Sequence, residues 1–473
     1  MSPSALHRAI FPACSTALLC LIALGAPACK ESETPREHPA AAKKDAGTGP
    51  AQETSGNAQA GQWYRVWVVG GEGVGDVPFF LQLPARPNRG TALFANGTVR
   101  IEAEARWYGA EVSVNQPLLR TRMFLRQDDD GKLNGHMMSR SPLADGTVSL
   151  PLQGVPVPEP DDAKRFPDAA SCHALAGVTD QGAAADPGQS SGKEPATGSD
   201  DATGKGPAEP WGKWIASFEG WGVVELALEQ TRPGMVTGSF SFDDGSVAVL
   251  FGSSFGSRIC LSSFDGVNPF LAVLEVEPGG NALRGRWIAG PGLERRTTFT
   301  ADKREQVAAT SSIIVFTPNR TKVSLFELGL PQYRGKPVII EFGASWCPPC
   351  LDSAPVLREL YERYHGQGLE IVMLMFELLE DEDALRRQAR LFVEAHDIPW
   401  QVIPVRGELK PYWDTIPHDP DVAEVNLPVT VFVNADGTIR DAHTGFPGPE
   451  SGQLHQAMVE RYQRVAAELV TKK

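Results

Sequence analysis

Cysteine is scarce in this chain, with seven in 473 residues, and only one Cys-x-x-Cys pair is formed from them. No second pair and no His-x-x-x-His stands beside it, which argues against a four-ligand structural zinc site. Positive charge is also in deficit. Lys and Arg number 44 against 58 Asp and Glu, a net charge of −14, which argues against nucleic acid or an anionic membrane surface as a partner. Long apolar runs are missing too. The one candidate, Ala9 to Ala26, is broken by Pro12 and by Ser15-Thr16 and is too short and interrupted for a membrane span.

That N-terminal run reads instead as an export signal, with Arg8 before it and small residues after it. Gly25-Ala26-Pro27-Ala28-Cys29 resembles the lipobox of bacterial lipoproteins. The resemblance implies cleavage before Cys29 and lipid on its sulfur, so that residues 1–29 are a signal peptide with lipobox. The alternative is ordinary secretion with cleavage after Ala28. Export suits the cysteine count. Once Cys14 and Cys20 leave with the signal and Cys29 is lipidated, Cys172, Cys260, Cys347 and Cys350 remain, an even number compatible with two disulfides in an oxidising compartment.

Composition divides the rest. Residues 30–60 are rich in Ala, Gly, Pro, Glu and Lys without apolar periodicity, as in a disordered tether. At about 5–6 Å times the square root of the residue number it spans about 30 Å. Residues 61–155 carry short β-like runs separated by Asn96-Gly97, Asp130-Gly131 and Asn134-Gly135, which favour tight hairpins. The acidic Asp128-Asp129-Asp130 is read as a hairpin tip, because its spacing fits no EF-hand loop. Residues 156–210 form a low-complexity linker or insertion. A second β-rich module covers 211–303. Gly61-Gln62-Trp63 and Leu133-Asn134-Gly135 in the first module are echoed by Gly212-Lys213-Trp214 and Leu283-Arg284-Gly285 in the second, the frame of a duplication. The expected fold class is multidomain, with an N-terminal all-β part (sandwich or barrel) and a C-terminal α/β domain over 313–473.

In that last domain Val338 to Phe342 reads as a strand and Cys350 to Tyr364 as a helix. Between them stands Trp346-Cys347-Pro348-Pro349-Cys350. A cysteine at a helix start meets unpaired N–H groups and the positive end of the helix dipole, which stabilise its thiolate. Cys347 is expected to be exposed and attacking, and Cys350 to be sheltered and resolving. Glu341 is the one charge in an apolar strand. Burial raises such a carboxyl's pKa toward neutrality, where general acid–base work is done.

The Trp-Cys-Pro-Pro-Cys sequence, with Pro355 in the helix after it and Pro428 before a later strand, resembles the TlpA-like (ResA-like) thiol–disulfide reductases of the thioredoxin superfamily. Gly445-Phe446-Pro447-Gly448-Pro449 resembles that branch as well, and Ser263-Phe264-Asp265-Gly266 more faintly resembles the β-rich extension of some of its lipoproteins. The resemblance implies a thioredoxin fold and a catalytic pair Cys347 and Cys350. Glu341 stands where thioredoxins carry a buried acid that takes a proton from the second cysteine, a position at which many TlpA-like proteins have a neutral residue. It implies a substrate-binding rim of Trp346, Pro348, Leu427 and Pro428, the last in a cis peptide bond. It departs from the branch at Ser353, where a glutamate is common, and at Gly343, where an aromatic is common. The single peroxidatic-cysteine motif of peroxiredoxins is absent.

The reading is an envelope thiol–disulfide oxidoreductase, lipid-anchored on the periplasmic side or else soluble there. It needs no metal and no cofactor beyond the redox-active disulfide. Its partners are exported proteins with disulfides or thiols and an unidentified membrane electron donor. Oxidase or isomerase activity is one alternative; ligand or partner binding by the β modules, with an accessory redox domain, is the other. Cys172 and Cys260 are read as a structural disulfide, with a free or regulatory thiol at Cys172 as the alternative. Cells fed radiolabelled palmitate should label the wild-type chain and not Cys29→Ser; equal labelling of both removes the anchor.

Overall fold

The computed structural model describes residues 61–471 apart from 71–75, 87–88, 141–146, 161–208, 221, 243–245, 291, 305–316, 408 and 417–425. The signal, the tether, Cys29 and Cys172 lie outside the described residues.

Val99–Tyr108 shows why the N-terminal half folds as it does. Ala103, Ala105 and Trp107 are buried while Glu102, Glu104, Arg106 and Tyr108 are exposed, the two-residue alternation of a strand with one wet face. Eight such strands close antiparallel into a barrel: β1 (Gln62–Val68), β2 (Val77–Leu83), β3 (Arg89–Asn96), β4 (Val99–Tyr108), β5 (Glu111–Gln116), β6 (Thr121–Gln127), β7 (Leu133–Arg140) and β8 (Thr147–Val157). A second barrel repeats the plan with β9 (Gly212–Phe218), β10 (Gly222–Arg232), β11 (Met235–Ser241), β12 (Val247–Phe255), β13 (Arg258–Phe264), β14 (Pro269–Val276), β15 (Ala282–Ala289) and β16 (Arg295–Lys303). Closure removes every sheet edge. It also corrects the boundary at 155: β8 continues to Val157 because Trp63 and Tyr64 of β1 pair with Val157 and Pro156.

The echoed motifs occupy equivalent strands. Trp63 and Trp214 lie in the first strand of each barrel, and Gly135 and Gly285 in the seventh. A Cβ on Gly135 would stand 1.9 Å from the carbonyl oxygen of Phe124, and one on Gly285 would stand 2.1 Å from the ring of Phe299. A larger residue at Gly135 would meet backbone, and one at Gly285 would have to displace the Phe299 ring. Side chains fill the barrel interiors. In the second, Phe218 stacks on Phe299 at 4.5 Å and Phe240 meets Trp287 at 4.8 Å, the filled form of an eight-stranded interior. The barrels join where Phe264 of β13 packs on Phe79 and Phe94 of the first barrel at 4.9 and 5.7 Å. Beside it Ser262 donates to the carbonyl oxygen of Pro78 at 3.2 Å.

The C-terminal domain is a five-stranded sheet in the order β19 (Gln401–Arg406), β18 (Glu370–Glu377), β17 (Val338–Gly343), β20 (Val429–Val433), β21 (Ile439–Thr444). Strand β17 runs parallel to β18 and antiparallel to β20. The helices are α1 (Pro348–Tyr364), α2 (Glu382–Ala395), the single turn α3 (Lys410–Trp413) and α4 (Gln453–Thr471). Ile339, Leu357, Phe392, Phe432 and Tyr462 share the core between sheet and helices. Helix α1 begins two residues earlier than Cys350 because proline is well suited to a first helical turn. Among the described residues no helix is long and apolar enough to cross a membrane.

Replacing Phe264 with Ala should destabilise the joined barrels by roughly 3–5 kcal/mol, read as a lowered Tm; an unchanged Tm would mean that the seam adds nothing.

Candidate active site

Every residue of β17 is buried, because β18 and β20 flank it and apolar residues cover both faces. It ends at Gly343, and α1 begins five residues later. Cys347 is the N-cap of that helix, with extended backbone (φ −98°, ψ 106°). Pro348 and Pro349 occupy the next two positions and carry no N–H. The first donor left is the Cys350 N–H, and it points at Cys347 Sγ from 3.3 Å. Cys347 and Cys350 are joined as a disulfide across a Cα separation of 5.3 Å.

Both cysteines are covered, Cys347 to 4% and Cys350 to 0% exposure. The expected contrast of an exposed and a sheltered cysteine is therefore much reduced, because Trp346 and Leu427 pack against the pair. The Trp346 indole is pinned by its N–H to the carbonyl oxygen of Phe376 at 3.1 Å. The Leu427–Pro428 peptide bond is cis. Pro348 lies half-buried on the rim. Gly343 leaves a gap that Met373 and Cys350 Sγ enter: a Cβ there would stand 2.6 and 3.3 Å from them, so the aromatic common at this place has no room.

Glu341 shares the helix-facing side of β17 with Ile339 and Gly343, by strand alternation, and is 1% exposed. Burial pushes its carboxyl up to about 7, against the pull of a hydrogen bond from Ser353. The Ser353 hydroxyl reaches Glu341 Oε1 at 2.5 Å and the carbonyl oxygen of Cys350 at 3.0 Å. Sequence reading marked Ser353 only as a departure; the signal available was a hydroxyl one helical turn beyond Cys350.

Other groups escaped the sequence reading. The loop before Cys347 is clamped by Glu377, whose Oε1 accepts the Ser345 N–H at 2.9 Å, and by Gln388, whose amide donates to Ser345 Oγ at 2.8 Å. The same amide donates to the carbonyl oxygen of Pro117 at 3.2 Å, in the β5–β6 turn of the first barrel. Asp352 is pushed up to about 7 by burial, then by the charges of Glu450 and Asp265. Nothing in sequence brings Asp265 of the second barrel near residues 352 and 450. Among the described residues no set of His, Cys, Asp or Glu side chains is arranged to hold a metal. Cys260 is buried in β13 and disulfide-bonded; its partner lies outside the described residues, as does Cys172.

Residues 316–442 match the AhpC/TSA family model. The chain is 27% identical over 142 residues to the thiol-disulfide oxidoreductase ResA of Bacillus thuringiensis subsp. konkukian, covering 30% of this chain and 71% of ResA. The ResA of Bacillus cereus is 29% identical over 24% of this chain and 57% of its own length. Tryparedoxin of Trypanosoma brucei brucei is 40% identical over 12% of this chain and 40% of its own length. Most of these matches thus span little more than half of the relative or less. A putative thiol:disulfide interchange protein DsbE from Chlorobium tepidum is 22% identical over 28% of this chain and 83% of that chain; its TM-score of 0.21 is too low to bear on function.

An acid whose pKa rises on folding holds its proton more tightly in the native state. The stability it gives is complete below about 4.5 and is lost as pH climbs to about 7. The Tm of Glu341→Gln relative to wild type should therefore increase from pH 4.5 to 7, by about 3 kcal/mol in stability, and stay level above. A difference independent of pH would show that Glu341 is not titrating.

Proposed function

We propose, from the premise that the C-terminal domain is a ResA-like member of the thioredoxin superfamily, that this chain is an exported, membrane-tethered thiol–disulfide oxidoreductase that reduces disulfides of envelope proteins. The observation that carries it is the Cys350 N–H aimed at Cys347 Sγ at the start of α1, which favours a thiolate at Cys347 over a thiol.

In the reduced enzyme the Cys347 thiolate attacks a substrate disulfide. One substrate sulfur leaves as thiolate and the other forms a mixed disulfide with Cys347. Cys350 then gives its proton to Glu341 and attacks Cys347 Sγ. The Cys347–Cys350 bond forms, the second substrate sulfur departs, and two electrons have passed to the substrate. Glu341 suits this role because burial holds its carboxyl at about 7, near the operating pH of a general base. Trp346, Pro348 and Leu427 offer a rim for an extended peptide, with Pro428 fixing the backbone beside it. A membrane electron donor, unidentified, returns the pair to the dithiol. No cofactor is required, since the sulfur pair carries both electrons.

The envelope is the compartment in this reading, since residues 1–29 read as an export signal with a lipobox at Cys29. The direction of transfer follows the ResA resemblance. Binding by the β modules is the second class of function considered. Their interiors are filled with side chains, so an enclosed ligand is disfavoured, and their outer faces are what a partner would meet.

Cys350→Ala should leave Cys347 unable to resolve and so accumulate mixed disulfides with exported proteins on non-reducing gels. No trapped species, with the protein folded and Cys347 alkylatable, would end the oxidoreductase reading. A reduction potential near about −270 mV supports a reductase, and one near about −120 mV an oxidase.

A further inference from the structure

Resting on the acid–base role given to Glu341, we propose that Ser353 is a positioning residue whose hydroxyl rotates between Glu341 and the carbonyl oxygen of Cys350. It thereby keeps Glu341 Oε1 paired whether or not that carboxyl holds the proton from Cys350.

The case rests on counting hydrogens. A serine hydroxyl has one hydrogen and two lone pairs. Ser353 Oγ is buried, with two oxygens in reach, Glu341 Oε1 at 2.5 Å and the Cys350 carbonyl at 3.0 Å. It can donate to only one of them at a time. With Glu341 ionised, both carboxylate oxygens are acceptors, and the charge-assisted bond takes the serine hydrogen. With Glu341 protonated on Oε1, the carboxyl hydrogen points at Oγ. The serine hydrogen must then turn away, and the carbonyl of Cys350 lies on that side. An alanine here would leave a buried carboxylate oxygen without a donor, a penalty borne more heavily by the charged form.

Of the groups packed near Ser353, Asp352 beside it on α1 is also pushed up to about 7, by burial and then by the charges of Glu450 and Asp265. The limb due to Glu341 is therefore identified by its loss in Glu341→Gln. The remaining neighbours do not change charge near pH 7. On α4, burial holds the Tyr462 phenol protonated, and it donates to Thr430 of β20 at 2.9 Å. On β21, burial and the Arg461 charge push His443 down to about 4, so it is neutral near pH 7. Arg461 is paired with Asp441 by two hydrogen bonds of 2.7 and 2.8 Å. From α1 come Ser353 itself, which has no charge, and Cys350, with Cys347 at the N-cap. On β18 the residue beside Glu341 in the register is Met373, which has no charge.

The test is a double-mutant cycle on the full chain: wild type, Ser353→Ala, Glu341→Gln and the double variant, with dithiothreitol-driven reduction of insulin measured against pH. Ser353→Ala should move the limb due to Glu341 upward by about one pH unit or more. Glu341→Gln should lack that limb, and adding Ser353→Ala to it should move nothing further. Infrared difference spectra, with Glu341→Gln as the blank, read the same carboxyl directly and should show the same upward shift. An unmoved midpoint in Ser353→Ala, or an equal displacement with Glu341 already replaced, overturns the switch. A wild type that never reduces insulin overturns the oxidoreductase reading instead, while the infrared titration still judges Ser353.

Discussion

One geometric constraint governs the redox site: α1 starts almost at once where a strand buried on both faces ends. The helix N-terminus presents orphan N–H groups, and two prolines remove the first of them. The Cys350 N–H is thereby the donor left to meet Cys347 Sγ. The field of the helix acts on a sulfur that Trp346 and Leu427 shield from water, where a dipole counts for more than in solvent. The clamp on Ser345 from Glu377 and Gln388 fixes the loop that delivers the sulfur to this point.

Physical circumstance separates Glu341 from the three carboxyls Asp352, Glu450 and Asp265. Glu341 is isolated in the core. Its hydrogen-bond partner is the Ser353 hydroxyl, and the nearby His443 is neutral while Arg461 is paired with Asp441. Asp352 stands with Glu450 and Asp265, and mutual repulsion adds to burial in raising it. The first arrangement suits exchange of a proton with a nearby thiol. The second ties the charge state of α1 to the second barrel, because one of the three carboxyls comes from that barrel's β13–β14 turn.

The barrels are solid bodies. Aromatic side chains occupy the interior of the second, and apolar residues occupy the first. What they contribute to the redox domain comes through their turns. Leu118, between β5 and β6, enters the core formed by the sheet and helices of the C-terminal domain, while the neighbouring carbonyl oxygen of Pro117 accepts from Gln388. The first barrel and Ser345, the residue next to Trp346, are thus joined through the Gln388 amide.

Much of this was legible in order along the chain. Short β-like runs bounded by turn signals marked the strands of the β half, and the change to strand-like runs alternating with amphipathic helical stretches marked the third domain. The echo of Trp63 by Trp214 and of Gly135 by Gly285 located equivalent strands before their closure was visible. Strand β19 was not legible: only Val405 in it is fully buried and Pro404 interrupts it, as an edge strand permits. By itself the sequence determined the sulfur pair, its place at a helix start and the lone acid in a buried strand, because each is a local matter of spacing and polarity. Tertiary structure alone decided that Cys347 is covered, that Ser353 meets Glu341, that Gln388 meets both Ser345 and the first barrel, and that Asp265 faces Asp352. These pairs lie from 12 to 271 residues apart, and only the packing of closed barrels against an α/β sheet brings them within the reach of a hydrogen bond or a charge.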